Sequence, residues 1–527
     1  MRTFSSYGPV DKNRNYYVPR EKQIDKIYNQ LTEGHYLTVW APRQCGKTWI
    51  MNEVYHKICE NKYYHTLKID LENLKLYDNT EKVIESISKR IIRKLKLSMN
   101  ENIAMDAFEV LFTREVLNKP LILIFDEFDA LDEKAISFIV SIFRNIYHTR
   151  LSENKDSHEK EYLLHGVALI GVRSVIGIEN VKGSPFNIQR STHIPNLSYD
   201  ETKEMFMCYE NETGHVIKQD VIDRIYQETC GQPGLVSWFG ELVTEGYEHY
   251  QPDKAKPITM KEFDEIYVDA INILPNNTIL NILSKATQSP NTEFLLELFN
   301  TKVTVPFRFD DKLTNFLYMN GVIDHSEKRE NKAPTIKFSS PFVQKRLFNY
   351  FSYDYFKNIG DIVTPFEDLS HIVTHDSIHI KNLLKRYENY LKCNHDWLLK
   401  KAPRRSDLKI YEAMYHFNLF VYIVNLFENY ETIVWPEFPT GNGKVDLIIK
   451  HAHKLYALEI KSYKDKPGFD KAIKQASKYA KKLKLDIIYL VVFVESIDEK
   501  NRNLYEKRHH IPDQGIDIEV VFIDITH

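Results

Sequence analysis

At 527 residues the chain exceeds the ~250–300 residues that one hydrophobic core can serve, so several domains are expected and a single small binding module is excluded. Hydrophobic residues at 43% and aromatics at 13% supply enough apolar mass for true cores, and with 27% charged residues wholesale disorder is excluded. The net charge of −3 says little about partners, because a nucleic-acid enzyme needs to be basic only along its groove. The longest apolar runs, 121–125 and 487–494, fall far short of the ~18 residues needed to cross a bilayer, and the opening MRTFSSYGPV lacks an apolar signal core. A cytoplasmic protein without membrane contact is expected. Cys45, Cys59, Cys208, Cys230 and Cys393 are scattered and form no CxxC pair, which argues against a disulfide framework and a zinc knuckle.

In chain order, residues 20–33 read as a helix, 36–40 as a strand, 47–60 as a helix, 64–71 as a strand and 79–117 as helices. Then 120–125 reads as a buried strand, 132–149 as a helix and 163–171 as a further strand. This alternation predicts a parallel α/β sheet. From 198 to 250 the pattern is helical, and 259–350 holds short helices ending in a hairpin-like segment, GVIDHSEKRENKAPTIKFSSPF, expected as a winged-helix-like module. Residues 361–375 carry few signals and read as a linker, followed by helices at 378–393 and 406–428 and a strand-rich block. No fixed-period repeat is present.

The segment YLTVWAPRQCGKTWI, residues 36–50, is an apolar strand, a loop (Pro42, Arg43, Gln44, Cys45) and a helix opening at Gly46, Lys47 and Thr48. Phosphate binding needs inward backbone N–H groups, a helix N-terminus and a cation, and this loop offers all three. In the pattern G-x-x-x-x-G-K-S/T, Lys47 reaches the terminal phosphates of ATP and Thr48 holds Mg²⁺; Ala41 replaces the first glycine. LILIFDEFDAL, residues 121–131, is a buried strand ending in Asp126, expected beside Mg²⁺, and Glu127, expected to polarise an attacking water. Together with YYVPRE (16–21) and GQPGL (231–235), these segments resemble the AAA-like ATPases related to the archaeal and STAND classes, over about residues 1–350. In that family the first motif lies near the adenine and the proline of the GxP motif reaches the nucleotide from a helical lid. The resemblance thus implies those roles for Arg20 and Pro233, and a sensor-type position for Arg173. Arg190 reads as a surface arginine rather than a charge-neutralising finger.

EFPTGNGKVDLIIKHAHKLYALEIKSYK, residues 437–464, reads as two paired strands after a turn at Gly441 and Gly443. Glu459 and Lys461, two apart, emerge on one face, and hairpin pairing brings Asp446 near them. That supplies an acidic pair for a divalent cation and a lysine for the nucleophilic water or the transition-state charge, as phosphodiester hydrolysis requires. With Glu412 on a preceding helix and Gln475 and Tyr479 on a following one, the block resembles the PD-(D/E)xK nuclease superfamily over about residues 378–527. The resemblance implies that Asp446 and Glu459 bind Mg²⁺ or Mn²⁺, that Lys461 assists the water, and that Gln475 and Tyr479 line the site. Glu437 is expected to add an acidic ligand, and Val445 stands where such domains often have proline. Lys471, Lys474, Lys478, Lys481 and Lys482 follow directly and are expected to flank the cleavage site through phosphate contacts.

The expected organisation is an α/β multidomain protein: an AAA-like P-loop core (1–197), a helical lid (198–258), a winged-helix-like region (259–350), a linker (351–377) and a restriction-endonuclease-like domain (378–527). The expected cofactors are ATP and Mg²⁺, with Mn²⁺ an option at the nuclease site. The expected partner is nucleic acid, DNA before RNA, and a homo-oligomer is compatible with the domain type. The rival readings are a signalling ATPase whose C-terminal domain binds nucleic acid without cutting it, and a nucleotide-gated protein scaffold.

Overall fold

The computed structural model describes all residues except 1, 6, 7, 9, 43, 78, 172–188, 300–304, 327–332, 361, 365, 366, 409, 438–445, 464, 465, 526 and 527; of Gln189, Glu437 and Asp446 it describes the backbone. The chain divides into two compact units, one formed by Met1–Phe263 with Arg308–Gly321, the other by Asp264–Phe307 with Val322–His527. Among the described residues no helix is long and apolar enough to cross a membrane.

The first unit is built on a parallel sheet of β1 (Tyr36–Trp40), β2 (His65–Asp70), β3 (Leu121–Asp126), β4 (Leu164–Gly171) and β5 (Gln189–His193), in the order β2-β3-β4-β1-β5. Its central strands are apolar almost without interruption because helices cover both faces. Leu37, Val39, Ile122, Ile124, Ala168 and Ile170 pack with Ile50, Met51 and Val54 of the helix Lys47–Cys59. The alternate residues, Tyr36, Leu121, Leu123, Phe125, Val167 and Leu169, pack with the helices Thr80–Leu95 and Glu133–Ser152. The helical stretch expected at 79–117 is instead one α-helix and a 3₁₀ segment, Met105–Phe112. Lys96 turns left-handed (φ 54°) and ends the first helix before the polar run that follows. After the sheet come the helices Tyr199–Thr213, Gln219–Thr229 and Pro233–Thr244, the first opened by a reciprocal Ser198–Glu201 cap, and the helix Lys312–Met319 also belongs to this unit.

The second unit holds a two-stranded antiparallel ribbon, β6 (Ile323–His325) with β7 (Ile336–Phe338), and a six-stranded mixed sheet. That sheet comprises β8 (Thr432–Glu437), β9 (Asp446–His451), β10 (Lys454–Ser462), β11 (Ile487–Val494), β12 (Arg508–Ile511) and β13 (Ile516–Asp524), in the order β12-β13-β11-β10-β9-β8. β10, β11 and β13 run parallel and the remaining pairings are antiparallel. The segment read as a linker is more structured than its sequence suggests. The helix Pro341–Tyr355 runs into it, and Phe356, Ile359, Leu369, Ile372 and Val373 are buried. Irregular chain shows no period, yet it can still place apolar side chains in a core.

Candidate functional site

At the carboxyl end of the parallel sheet, β1 gives way to a loop and then to the helix Lys47–Cys59. Gly46 adopts φ 80°, ψ 18°, a left-handed turn that suits glycine, and the helix has no side-chain cap at its N-terminus. Its first N–H groups are thus available to an anion. Lys47 is buried, and its Nζ donates to the carbonyls of Ala41 and Pro42, each at 2.9 Å. Burial pushes this ammonium below its usual range. Thr48 is exposed, Pro42 half-buried, Gln44 left-handed at φ 58°, and Arg43 lies outside the described residues. Buried Cys45 approaches Asn196 Oδ1 at 3.4 Å, and Gln232 Nε2 donates to the Gln44 carbonyl at 3.4 Å. Gln232 also caps the helix Pro233–Thr244, which starts at Pro233. Arg20 is buried and donates to the carbonyls of Pro195 (3.0 Å) and Asn196 (3.3 Å), with Nε 3.4 Å from Glu201. Arg173 lies outside the described residues, and Arg190 is exposed on β5.

Asp126 ends β3, nearly fully buried. Its Oδ2 is 2.8 Å from Lys68 Nζ, and its Oδ1 accepts the Glu127 N–H at 3.1 Å. Lys68 Nζ also donates to Asn52 Oδ1 at 2.6 Å, so one ammonium joins β2, the end of β3 and the helix behind the phosphate loop. Glu127 is held left-handed (φ 51°, ψ 43°), a conformation that costs a non-glycine residue about 1–3 kcal/mol. At the end of β4 a Cβ on Gly171 would lie 2.6 Å from Asp129 Oδ1, so the close approach needs glycine.

In the second unit the backbone register sets Glu459 opposite Asp446, and Asp446 opposite Glu437, a transverse row across β10, β9 and β8. Glu459 is 3% exposed; its Oε1 is 2.8 Å from Lys461 Nζ, and its buried Oε2 has no hydrogen-bond partner among the described residues. Ala457, two residues before Glu459 and therefore on the same face, packs with Phe469, Ala472, Ile473, Ala476 and Tyr479. The helix Lys466–Leu483, with half-buried Gln475, thus covers the face that carries Glu459 and Lys461. Glu412 opens the helix Glu412–Leu426 and is half-buried. The expected turn at Gly441 and Gly443, and Val445, lie outside the described residues. Among the described residues, which exclude the side chains of Glu437 and Asp446, no group of three or more His, Cys, Asp or Glu stands around a common metal position.

Residues 5–246 match the family described as an AAA-like domain. The N-terminal part of this chain is an AAA-like P-loop ATPase domain. No curated protein matches the sequence. Among solved structures, a Walker-type ATPase of Pyrococcus abyssi is similar at 17% identity, covering 65% of this chain and 99% of that one with a TM-score of 0.39. The Aeropyrum pernix ORC1 protein, solved in complex with DNA, is similar at 14% identity, with 63% and 92% coverage and a TM-score of 0.32. Cdc6p from Pyrobaculum aerophilum is similar at 16%, with 64% and 98% coverage and a TM-score of 0.33.

Two residues escape sequence reasoning. In the AAA-like domain it is Lys68, which alternates with Leu67 and Ile69 and looks like an ordinary surface charge. In the second unit it is His416, one turn after Glu412, fully buried, with neither ring nitrogen hydrogen-bonded among the described residues. Burial, then the charge of Lys461, pushes its imidazole down to about 3. The available signal was weak, a histidine on a mostly apolar helix that also carries Asn418 and Asn425. For Lys68 we expect a measurable role: Lys68→Met should cut the ATPase rate roughly tenfold or more, as losing an outer-shell partner does. It should also lower the Mg²⁺ concentration for half-maximal activity, because the buried Asp126 carboxylate loses a competing cation. Unchanged Mg²⁺ dependence in a rate titration would reduce Lys68 to a structural ion pair.

Proposed function

We propose that the chain couples ATP binding and hydrolysis to metal-dependent cleavage of nucleic-acid phosphodiester bonds, with ATP as the regulator. In the AAA-like domain Lys47 contacts the terminal phosphates, Thr48 and Asp126 hold Mg²⁺, and Glu127 orients the attacking water. Arg20, Pro233 and Arg173 border the nucleotide, and Gln232 links the phosphate loop to the helical lid. Supporting this are the uncapped helix N-terminus and a buried lysine held by two loop carbonyls, a cation that phosphate oxygens can draw away.

The C-terminal domain, about residues 378–527, is proposed to be restriction-endonuclease-like. The observation that carries its nuclease role is the buried Glu459–Lys461 pair in strand register with Asp446. Glu459 Oε2, buried without a hydrogen-bond partner among the described residues, suits a cation ligand. Asp446 and Glu459 would hold Mg²⁺ or Mn²⁺, with Glu437 and Glu412 as further acidic groups. Such a cation supplies Lewis-acid polarisation and a water of lowered pKa. Lys461 stabilises negative charge on the attacked phosphate, and Gln475 orients the strand being cut. Incubating the full chain with DNA and RNA, with and without ATP and Mg²⁺ or Mn²⁺, tests the reading. Metal-dependent cleavage supports it, and intact substrates under every combination refute it.

A further inference from the structure

The helix Lys466–Leu483 has two opposite faces. Phe469, Ala472, Ile473, Ala476, Tyr479 and Ala480 are buried against the sheet. Lys471, Lys474, Lys478, Lys481 and Lys482 are all exposed. At 100° per residue these five fall within an arc of about 100°, and from Lys471 to Lys482 they run about 16 Å along the axis. A solvated helix ordinarily intersperses acids three or four residues away from its lysines. Here Asp470, four residues before Lys474, is the one acid on the helix, and none of the five ammonium groups is in an ion pair or hydrogen bond among the described residues. Five unneutralised positive charges in one stripe repel one another, an arrangement that a polyanion relieves.

We infer that this stripe is a phosphate ladder that engages one strand of duplex DNA without reading its sequence, and feeds it to the Glu459–Lys461 site. The feeding step alone rests on the nuclease reading; the binding step does not. A stripe of about 16 Å is long enough to meet more than one phosphate of a strand as it winds past, and the flexible lysine stems let the remaining ammonium groups neutralise neighbouring phosphates. Lysine is a point charge on a flexible stem and offers no planar fork for a base edge, which is why the ladder is sequence-independent.

The test uses the full chain in EDTA, so that binding is read without cleavage, and a labelled 30-bp DNA duplex followed by fluorescence anisotropy at salt from 50 to 200 mM. Replacing all five lysines by Gln, which keeps helix propensity, should flatten the log–log salt slope by about 4 and reduce the 50-to-200 mM loss of affinity by roughly 10²-fold. Replacing all five by Arg should keep the slope. Two duplexes of unrelated sequence should bind within about twofold of each other. An unchanged slope in the Gln variant overturns the ladder, as does tighter wild-type binding to an RNA duplex or to phosphatidylserine vesicles. If the slope flattens as expected but wild-type protein with Mn²⁺ cuts nothing, the ladder stands and the nuclease reading falls.

Discussion

Lys47→Ala is expected to abolish tight ATP binding and, with it, ATPase activity. The lysine is the first residue of the helix whose N-terminus is uncapped, and two loop carbonyls at 2.9 Å hold it in place. Its ammonium is buried and pushed below its usual range, so it has been desolvated before a ligand arrives. A phosphate oxygen that takes over from the carbonyls gains a charge-assisted bond in a water-poor setting, worth about 1.5–3 kcal/mol, or roughly 10- to 150-fold in affinity. Alanine removes that bond and leaves the loop carbonyls aimed at the phosphates, a second penalty. Glu127→Gln should behave differently. It preserves shape at the strained left-handed position but removes the group that orients the attacking water, so binding persists while turnover slows. Fluorescent-nucleotide titration beside phosphate-release kinetics separates the two. Normal ATPase activity in Lys47→Ala sinks the phosphate-loop assignment, and equal loss of binding in both variants means that the roles are misassigned.

What the sequence revealed and what it hid have a common physical cause. Tyr36–Trp40 and Leu121–Asp126 were legible because strands buried on both faces must be apolar throughout, and only a few residue types can follow them where a phosphate is to be held. β5 was not legible: QRSTH has no apolar pattern, and its pairing with β1 comes from backbone hydrogen bonds at a sheet edge. The Lys68–Asp126 bridge was equally hidden. It joins side chains 58 positions apart, and only the parallel register of β2 on β3, with Lys68 opposite Ile124, brings them together. At the second site the E-x-K spacing could be read directly, whereas the row of Glu437, Asp446 and Glu459 depends on the register of three strands. The lysine ladder was visible as a basic run, but its lack of acidic partners belongs to the folded helix.

The metal site yields the sharpest contrast between variants. If Asp446 and Glu459 hold a catalytic cation, each →Ala change should eliminate cleavage and weaken divalent-metal binding, because a hard cation needs those anionic oxygens. Lys461→Ala removes a charge but no ligand. Its Nζ sits 2.8 Å from Glu459 Oε1, so the substitution leaves that buried carboxylate without its counter-charge and more dependent on a metal cation. Mn²⁺ binding should therefore survive or tighten in Lys461→Ala while the cleavage rate falls by ~10²-fold or more, the scale expected for a preorganised electrostatic group. Calorimetric Mn²⁺ titration of the full chain, run beside a cleavage time course, reads both quantities. Loss of metal in Lys461→Ala as complete as in Asp446→Ala would make the lysine a structural support of the ligands. All three variants should retain the nucleotide-binding affinity and basal ATPase activity of the parent, because the substituted residues belong to the other compact unit and touch none of the phosphate-loop residues.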